Sequence, residues 1–137
     1  MTQVLIVDDD QDIRAMLRAT LEDDGYAIQE AEDGARALDT LRAAPVGMVV
    51  LLDVMMPVLD GPAVLRAVVE DAALARRHAY VLITANIAAV PLDQARDRLR
   101  LGIPIVQKPF NMAVLLDAIA QAARRLETSA AALGGQT

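Results

Sequence analysis

Five short apolar runs separated by segments with helical spacing are the feature that most constrains the fold of this chain. The runs are VLIV at 4–7, YAIQE at 26–30, MVVLLD at 48–53, YVLIT at 80–84 and IPIVQ at 103–107. The third run is continuously apolar and rich in valine and leucine, as in a strand that is covered on both faces. Five such β–α units predict an α/β fold, doubly wound, with a five-stranded parallel sheet and helices on both faces.

The segments between the runs carry the signals of helices. Apolar or small residues recur on one face after the first run, at Ile13, Met16, Leu17, Thr20 and Leu21, and Gly25 ends that segment. Further helices are predicted from 33 to 44, from Pro62 onward, around 91–100, and after Asn111, a suitable N-cap.

The length of 137 residues fits one domain with a real core, and 55% hydrophobic with 23% charged residues is typical of a globular protein. We predict a domain over 1–127, a loose C-terminal tail over 128–137 and no second domain. No apolar run approaches the length of a membrane span, and no signal peptide is visible, so we expect a cytoplasmic protein without membrane contact.

The composition excludes several kinds of functional site. The chain has no cysteine and one histidine, His78, which excludes thiolate chemistry and makes multi-histidine metal sites improbable. A net charge of −6 and three aromatic residues argue against direct binding of nucleic acid. Carboxylates, hydroxyls, lysine and arginine are left to carry the function.

Those groups stand at the predicted strand ends, where doubly wound sheets bind ligands. Asp8 and Asp9 follow the first run, Asp53 ends the third, Thr84 ends the fourth and Lys108 follows the fifth. If the first and third strands are neighbours, three carboxylates converge, a set of hard oxygen ligands that suits Mg²⁺. Lysine and hydroxyl groups beside them would bind phosphoryl oxygens, which predicts phosphoryl transfer to an aspartate.

Four segments in register resemble the receiver domain of two-component response regulators. They are VDDD at 7–10, LLDVMMPVLDG at 51–61, LITA at 82–85 and KPF at 108–110, and the resemblance spans roughly residues 3–126. It implies a flavodoxin-like (βα)5 fold with strand order 2-1-3-4-5. Because no output domain follows in this sequence, we expect a stand-alone receiver.

The resemblance assigns a role to each matching position. Asp53 is the implied phosphoacceptor, Asp9 the direct ligand of Mg²⁺, Asp8 its support, and Met55 a ligand through its backbone carbonyl. Thr84 is expected to hydrogen-bond the phosphoryl group, and Lys108 to pair with it.

Other matching positions are structural or tune the reaction. Pro109 is expected to follow a cis peptide bond, and Asp60 and Gly61 to turn the chain into the third helix. Ile105 replaces the Tyr or Phe usual at the switch position, so an aromatic switch is not expected in its usual form. Met55 and Asn86 occupy positions that tune dephosphorylation; apolar Met55 cannot orient a water, so we expect a long-lived phosphoryl group.

The implied function is Mg²⁺-dependent transfer of a phosphoryl group from the phosphohistidine of a sensor histidine kinase or histidine phosphotransfer protein. The acyl phosphate would switch a surface read by a downstream protein or pass along a phosphorelay, and the chain would not be an enzyme in the usual sense. Two alternatives stay open: an adaptor that works without phosphorylation, and a haloacid-dehalogenase-like phosphohydrolase.

Three residues near these motifs have simpler interpretations. Asp10 and Asp12 fit the start of a helix, where negative charge is favourable. An EF-hand loop beginning at Asp8 is excluded because Ile13 stands where glycine is required. His78, within ARRHAY, is predicted to be a solvated loop residue.

Overall fold

A computed structural model describes residues 2–53, 61–84, 103–108 and 111–134, with only the backbone described at 61–62 and 128–134. The strands are β1 (Gln3–Val7), β2 (Ala27–Ala31), β3 (Met48–Asp53), β4 (Ala79–Thr84) and β5 (Ile105–Gln107). The helices are α1 (Gln11–Asp23), α2 (Gly34–Ala43), α3 (Gly61–Glu70), α4 (Ala72–Arg77) and α5 (Met112–Gly134).

The strands form one sheet in the order β2-β1-β3-β4-β5, and every pairing is parallel. The predicted fold and strand order are therefore confirmed. The register aligns Val7 of β1 with Leu52 of β3, so both strands end at the same edge of the sheet. The order reverses between β1 and β3, which is where doubly wound sheets bind ligands.

The sheet separates two apolar clusters. One packs α2, α3 and α4 against residues such as Leu5, Val50 and Leu52, and the other packs α1 and α5 against Val4 and Leu51. Every residue of β3 is buried, which explains why its sequence lacks the alternation of a half-exposed strand. Among the described helices, none combines the length and the apolar character that crossing a membrane requires.

The structure departs from the sequence prediction in three elements. A short helix, α4, lies between α3 and β4 where no separate helix was predicted. Helix α5 continues to Gly134, so the backbone of 128–134 is helical where a loose tail was expected, while the domain boundary at 127 stays a prediction. Met16, predicted on the apolar face of α1, is 47% exposed, whereas Leu17 and Leu21 of the same helix are buried. The helix predicted around 91–100 lies outside the described residues.

The prediction for His78 was wrong, because this residue is buried, with 4% exposure. Its Nδ1 accepts a hydrogen bond from the Met48 N–H at 3.0 Å, and its Nε2 lies 3.1 Å from the Leu41 carbonyl oxygen. An acceptor at Nδ1 requires the neutral tautomer that donates from Nε2. Desolvation by burial lowers the pKa of His78, and the nearby Arg77 charge acts in the same direction. His78 thus joins α2 to β3 at the amino ends of the strands.

Candidate functional site

The turn after β1 places two acids at the edge of the sheet in different environments. The Asp8 N–H donates to the Ala31 carbonyl at 3.2 Å, which extends the pairing of β1 with β2 by one residue. Asp8 is 3% exposed and its Oδ1 accepts from the Asp10 N–H at 2.9 Å, whereas Asp9 is exposed. The turn therefore holds one carboxylate inside and leaves the next toward solvent.

Asp10 begins α1. Its Oδ1 accepts from the backbone N–H groups of Asp12 at 2.9 Å and Ile13 at 3.3 Å, which is N-cap geometry. Asp12 lies in the first turn of the helix, where its charge favours the dipole. The helix-start interpretation of both residues is confirmed.

Asp53 brings a third carboxylate to the same edge. It is the last residue of β3 and is 7% exposed. One carboxylate oxygen from each of Asp8, Asp9 and Asp53 lies within 4.8 Å of the others. Three like charges this close repel one another strongly in a partly buried site, so the cluster favours a cation.

Lys108 supplies positive charge from the far side of the cluster. Its Nζ lies 3.8 Å from Asp8 Oδ2 and 3.8 Å from Asp53 Oδ2. Its backbone N–H donates to the Thr84 carbonyl at 2.7 Å, and Thr84 itself is 1% exposed at the end of β4. The sheet thus brings Lys108 to the acids and places Thr84 on the strand between them and β5.

Several predicted positions are not placed by the structure. Met55, Asp60, Asn86 and Pro109 lie outside the described residues, and only the backbone of Gly61 is described, as the first residue of α3. Ile105 is the first residue of β5; it is half-buried and packs against the apolar cluster on the α2–α3 face. The roles predicted for these positions stay predictions.

Arg14 of α1 contacts the turn between β1 and α1, and the sequence interpretation did not predict this contact. Its Nη1 donates to the Asp8 carbonyl at 2.7 Å, and its Nε pairs with Glu30 Oε1 at 3.0 Å. The only sequence signals were an arginine one turn after the helix cap and an acid near the end of β2. Neither signal distinguishes this contact from a solvated helix face.

The donor set fits a small divalent cation. Two oxygens bound to one Mg²⁺ at about 2.1 Å lie at most about 4.2 Å apart, and Mg²⁺ keeps several waters. The separation of up to 4.8 Å between the three carboxylate oxygens is close to that limit, so small side-chain rotations or one bridging water are enough. Lysine beside such a cluster is suited to a doubly charged, oxygen-rich group such as phosphoryl.

The fold and the site together define a doubly wound α/β protein. Its acidic site is suited to a cation and lies where the strand order reverses, between β1 and β3. The model of the response regulator receiver domain matches residues 4–120. The chain therefore belongs to the family of response regulator receiver domains, and the resemblance read from its motifs is confirmed.

Individual relatives agree with this assignment. The chain is 34% identical over 133 residues to response regulator MprA of Mycobacterium bovis, which covers 95% of this chain and 54% of MprA. It is 40% identical over 123 residues to the C4-dicarboxylate transport transcriptional regulatory protein DctD of Pseudomonas aeruginosa, covering 88% of this chain and 25% of DctD. The chain thus spans about a quarter to about half of the length of these relatives.

Solved structures show the same fold. A CheY-like response regulator receiver domain protein from Methanospirillum hungatei superimposes with a TM-score of 0.73 at 30% identity. The match covers 93% of this chain and 96% of that one. The two folds therefore correspond over most of both chains.

Proposed function

We propose that this chain receives a phosphoryl group on Asp53 in a reaction that requires Mg²⁺. The observation that carries the proposal is the position of the Lys108 ammonium, 3.8 Å from a carboxylate oxygen of Asp8 and 3.8 Å from one of Asp53. Because the Lys108 ammonium lies near both acids, a phosphoryl group on Asp53 would lie next to Lys108 and next to the acidic cluster.

The proposed step transfers phosphorus between two side chains. An Asp53 carboxylate oxygen attacks the phosphorus of a partner's phosphohistidine, a P–O bond forms, and the P–N bond breaks with its electron pair left on the imidazole nitrogen. Asp8, Asp9 and Asp53 would hold Mg²⁺, with the Met55 carbonyl as the predicted further ligand. When bound, the ion supplies positive charge to the oxygens of the transferred group.

Residues of the chain would meet the remaining phosphoryl oxygens. Lys108 would pair with one of them, and we propose that the Thr84 hydroxyl donates to another. Burial of Thr84 and Asp53 supports this, since hydrogen bonds and ion pairs are stronger where water is excluded. Ile105 lies opposite Leu82, two residues before Thr84 on the neighbouring strand, and would leave more room there for a threonine movement than an aromatic residue.

The proposed partners follow from the chemistry of the donor. A sensor histidine kinase or a histidine phosphotransfer protein would supply the phosphoryl group, and a downstream protein would read the phosphorylated surface or continue a phosphorelay. Proteins of this kind act as stoichiometric acceptors, so we do not propose a turnover enzyme. Cytoplasmic location, absence of direct nucleic-acid binding and a stand-alone receiver stay predictions, the last because MprA and DctD are longer than this chain.

Intact-mass measurement after incubation with Mg²⁺ and acetyl phosphate tests the proposal. The wild type should gain one phosphoryl group, and Asp53→Asn should gain none. Asp12→Asn is the matched control because it removes a carboxylate from the same acidic stretch outside the cluster. It should be phosphorylated like the wild type.

The outcomes separate the alternatives. A wild type that gains no phosphate would favour the phosphorylation-independent adaptor. If Asp53→Asn still gains a phosphoryl group, Asp53 is not the phosphoacceptor. That result would favour Asp8 as the nucleophile, as in the haloacid-dehalogenase-like alternative. If the wild type gains the phosphoryl group equally well when excess chelator removes Mg²⁺, the proposed role of Mg²⁺ is contradicted.

A further inference from the structure

We propose that Arg14 is a positioning residue for the metal-binding carboxylates, an inference that rests on the proposed function. Arg14 lies on α1, and its side chain is 13% exposed. It contacts the β1–α1 turn through the Asp8 carbonyl and contacts β2 through Glu30. No carboxylate of the metal cluster forms a described contact with Arg14, so it would act through the turn.

Arg14 holds one peptide unit of the β1–α1 turn. The Asp8 carbonyl belongs to the planar peptide that joins Asp8 to Asp9. A hydrogen bond of 2.7 Å from a guanidinium to this oxygen is short and charge-assisted. A hydrogen bond to this oxygen restrains the peptide plane, and with it the positions of the Asp9 N and Cα atoms that carry the Asp9 side chain.

Asp9 needs this support more than its neighbours do. Asp8 is held by its own N–H, which donates to the Ala31 carbonyl at 3.2 Å, and by its carboxylate, which accepts from Asp10. Asp10 is held as the cap of α1. Asp9 lies between them with an exposed side chain, so its orientation depends on the two peptide units beside it. Arg14 holds the first of these, and the N–H of the second donates to Asp8.

The second contact makes Arg14 a rigid link. Nε pairs with Glu30 Oε1 at 3.0 Å while Nη1 reaches Asp8, so one planar guanidinium joins β2 to the turn. Its donors have a fixed spacing, which a lysine ammonium cannot reproduce. Glu30 is itself held by Arg18, whose Nη1 lies 2.9 Å from Glu30 Oε2.

Arg18 is a matched control for the experiment. It lies one turn later on α1, pairs with the same glutamate, and donates from Nη2 to the Ile28 carbonyl at 2.8 Å. Like Arg14, it contacts one carboxylate and one backbone carbonyl, but both of its contacts are with β2 and neither is with the Asp8–Asp9 peptide. Loss of Arg18 tests the cost of weakening the α1–β2 link alone.

Mg²⁺ binding and backbone NMR together test the role of Arg14. Arg14→Met, Arg14→Lys, Arg18→Met and the wild type are compared at a temperature where urea titration shows each to be fully folded. We expect Arg14→Met to bind Mg²⁺ about 10- to 100-fold more weakly, as is typical when a residue that orients metal ligands is lost. Arg14→Lys, which can keep one contact, should lie between Arg14→Met and the wild type, and Arg18→Met should match the wild type.

In metal-free protein, the amide resonances of Asp9 and Asp10 should shift in Arg14→Met and stay in place in Arg18→Met. Equal Mg²⁺ affinity in Arg14→Met and Arg18→Met, or unshifted Asp9 and Asp10 amides in Arg14→Met, would overturn the proposal. If the wild type itself binds no Mg²⁺, the proposed function fails, and the metal-free amide shifts still decide whether Arg14 positions the turn. Arg14→Lys keeps the comparison possible if Arg14→Met does not fold.

Discussion

Replacing His78 by phenylalanine should destabilise the fold without touching the phosphoacceptor site. The imidazole is buried and bonds two backbone groups, the Met48 N–H at 3.0 Å and the Leu41 carbonyl at 3.1 Å. Phenylalanine fills the same space with an apolar ring and leaves both groups without that partner. A buried backbone group left unsatisfied costs about 1–3 kcal/mol, so we expect the two groups together to cost about 2–6 kcal/mol.

Such a loss is large against the stability of a typical domain, about 5–15 kcal/mol. At about 3 °C per kcal/mol for a chain of this size, the melting temperature should fall by about 6–18 °C. Urea unfolding followed by circular dichroism measures the free energy, and an unchanged slope shows that both variants unfold the same surface. His78→Asn, whose amide oxygen can replace Nδ1 as the acceptor for Met48, should recover part of the loss. A loss below about 1 kcal/mol in His78→Phe would refute the reasoning.

His78 should also make the stability of the fold depend on pH. Because burial lowers the pKa of His78, the folded protein binds its proton less tightly than the unfolded chain does. Stability from neutral His78 is therefore present above the unfolded pKa, near 6.5, and is lost as the pH falls through the lower pKa of the folded state. The difference in unfolding free energy between wild type and His78→Phe should shrink from pH 7.5 to pH 5. A difference that stays constant over that range would contradict the buried neutral imidazole.

Three further predictions concern other parts of the molecule. Gly47→Ala should lower stability by about 1–3 kcal/mol, since the added Cβ would lie 2.5 Å from the backbone oxygen of Arg77; an unchanged urea midpoint would contradict this. Saturating Mg²⁺ should raise the melting temperature of the wild type and raise that of Asp53→Asn less, as scanning calorimetry with a chelator control can show. Met55→Asn should shorten the lifetime of the phosphoryl group, measured by intact mass over time, because asparagine can orient an attacking water; slower or equal loss would count against Met55 as the reason for persistence.

The motifs of this chain predicted most of its site because they stand at strand ends. A run such as MVVLLD identifies a buried strand from composition alone, and the acid that closes it is then at the edge of the sheet. Asp8, Asp53 and Lys108 were predicted in this way, and the structure brings them together. Local signals also placed Asp10 and Asp12 at the start of a helix, because the start of a helix depends on a few neighbouring residues; the structure shows that Asp10 is the cap.

His78 and Arg14 show what local patterns do not contain. His78 lies in a charged segment, ARRHAY, and its burial depends on the end of α2 and the start of β3, which are distant in sequence. Arg14 reads as one more polar residue of α1, and its contact with Glu30 exists only because β2 lies beside β1. The partners of His78 and Arg14 lie more than one helical turn away along the chain, so sequence spacing does not predict these contacts.

The sequence by itself determined the strands, the helix start at Asp10 and the chemistry available at the strand ends, since these depend on neighbouring residues and on residue type. Tertiary structure decided which groups meet. The parallel pairing of β1 with β3 brings Asp8 and Asp9 to Asp53, and β5 brings Lys108 to Asp8 and Asp53. It also decided that one arginine holds the turn and that the single histidine is buried. The physical reason is that burial and charge pairing act between residues close in space, whatever their separation along the chain.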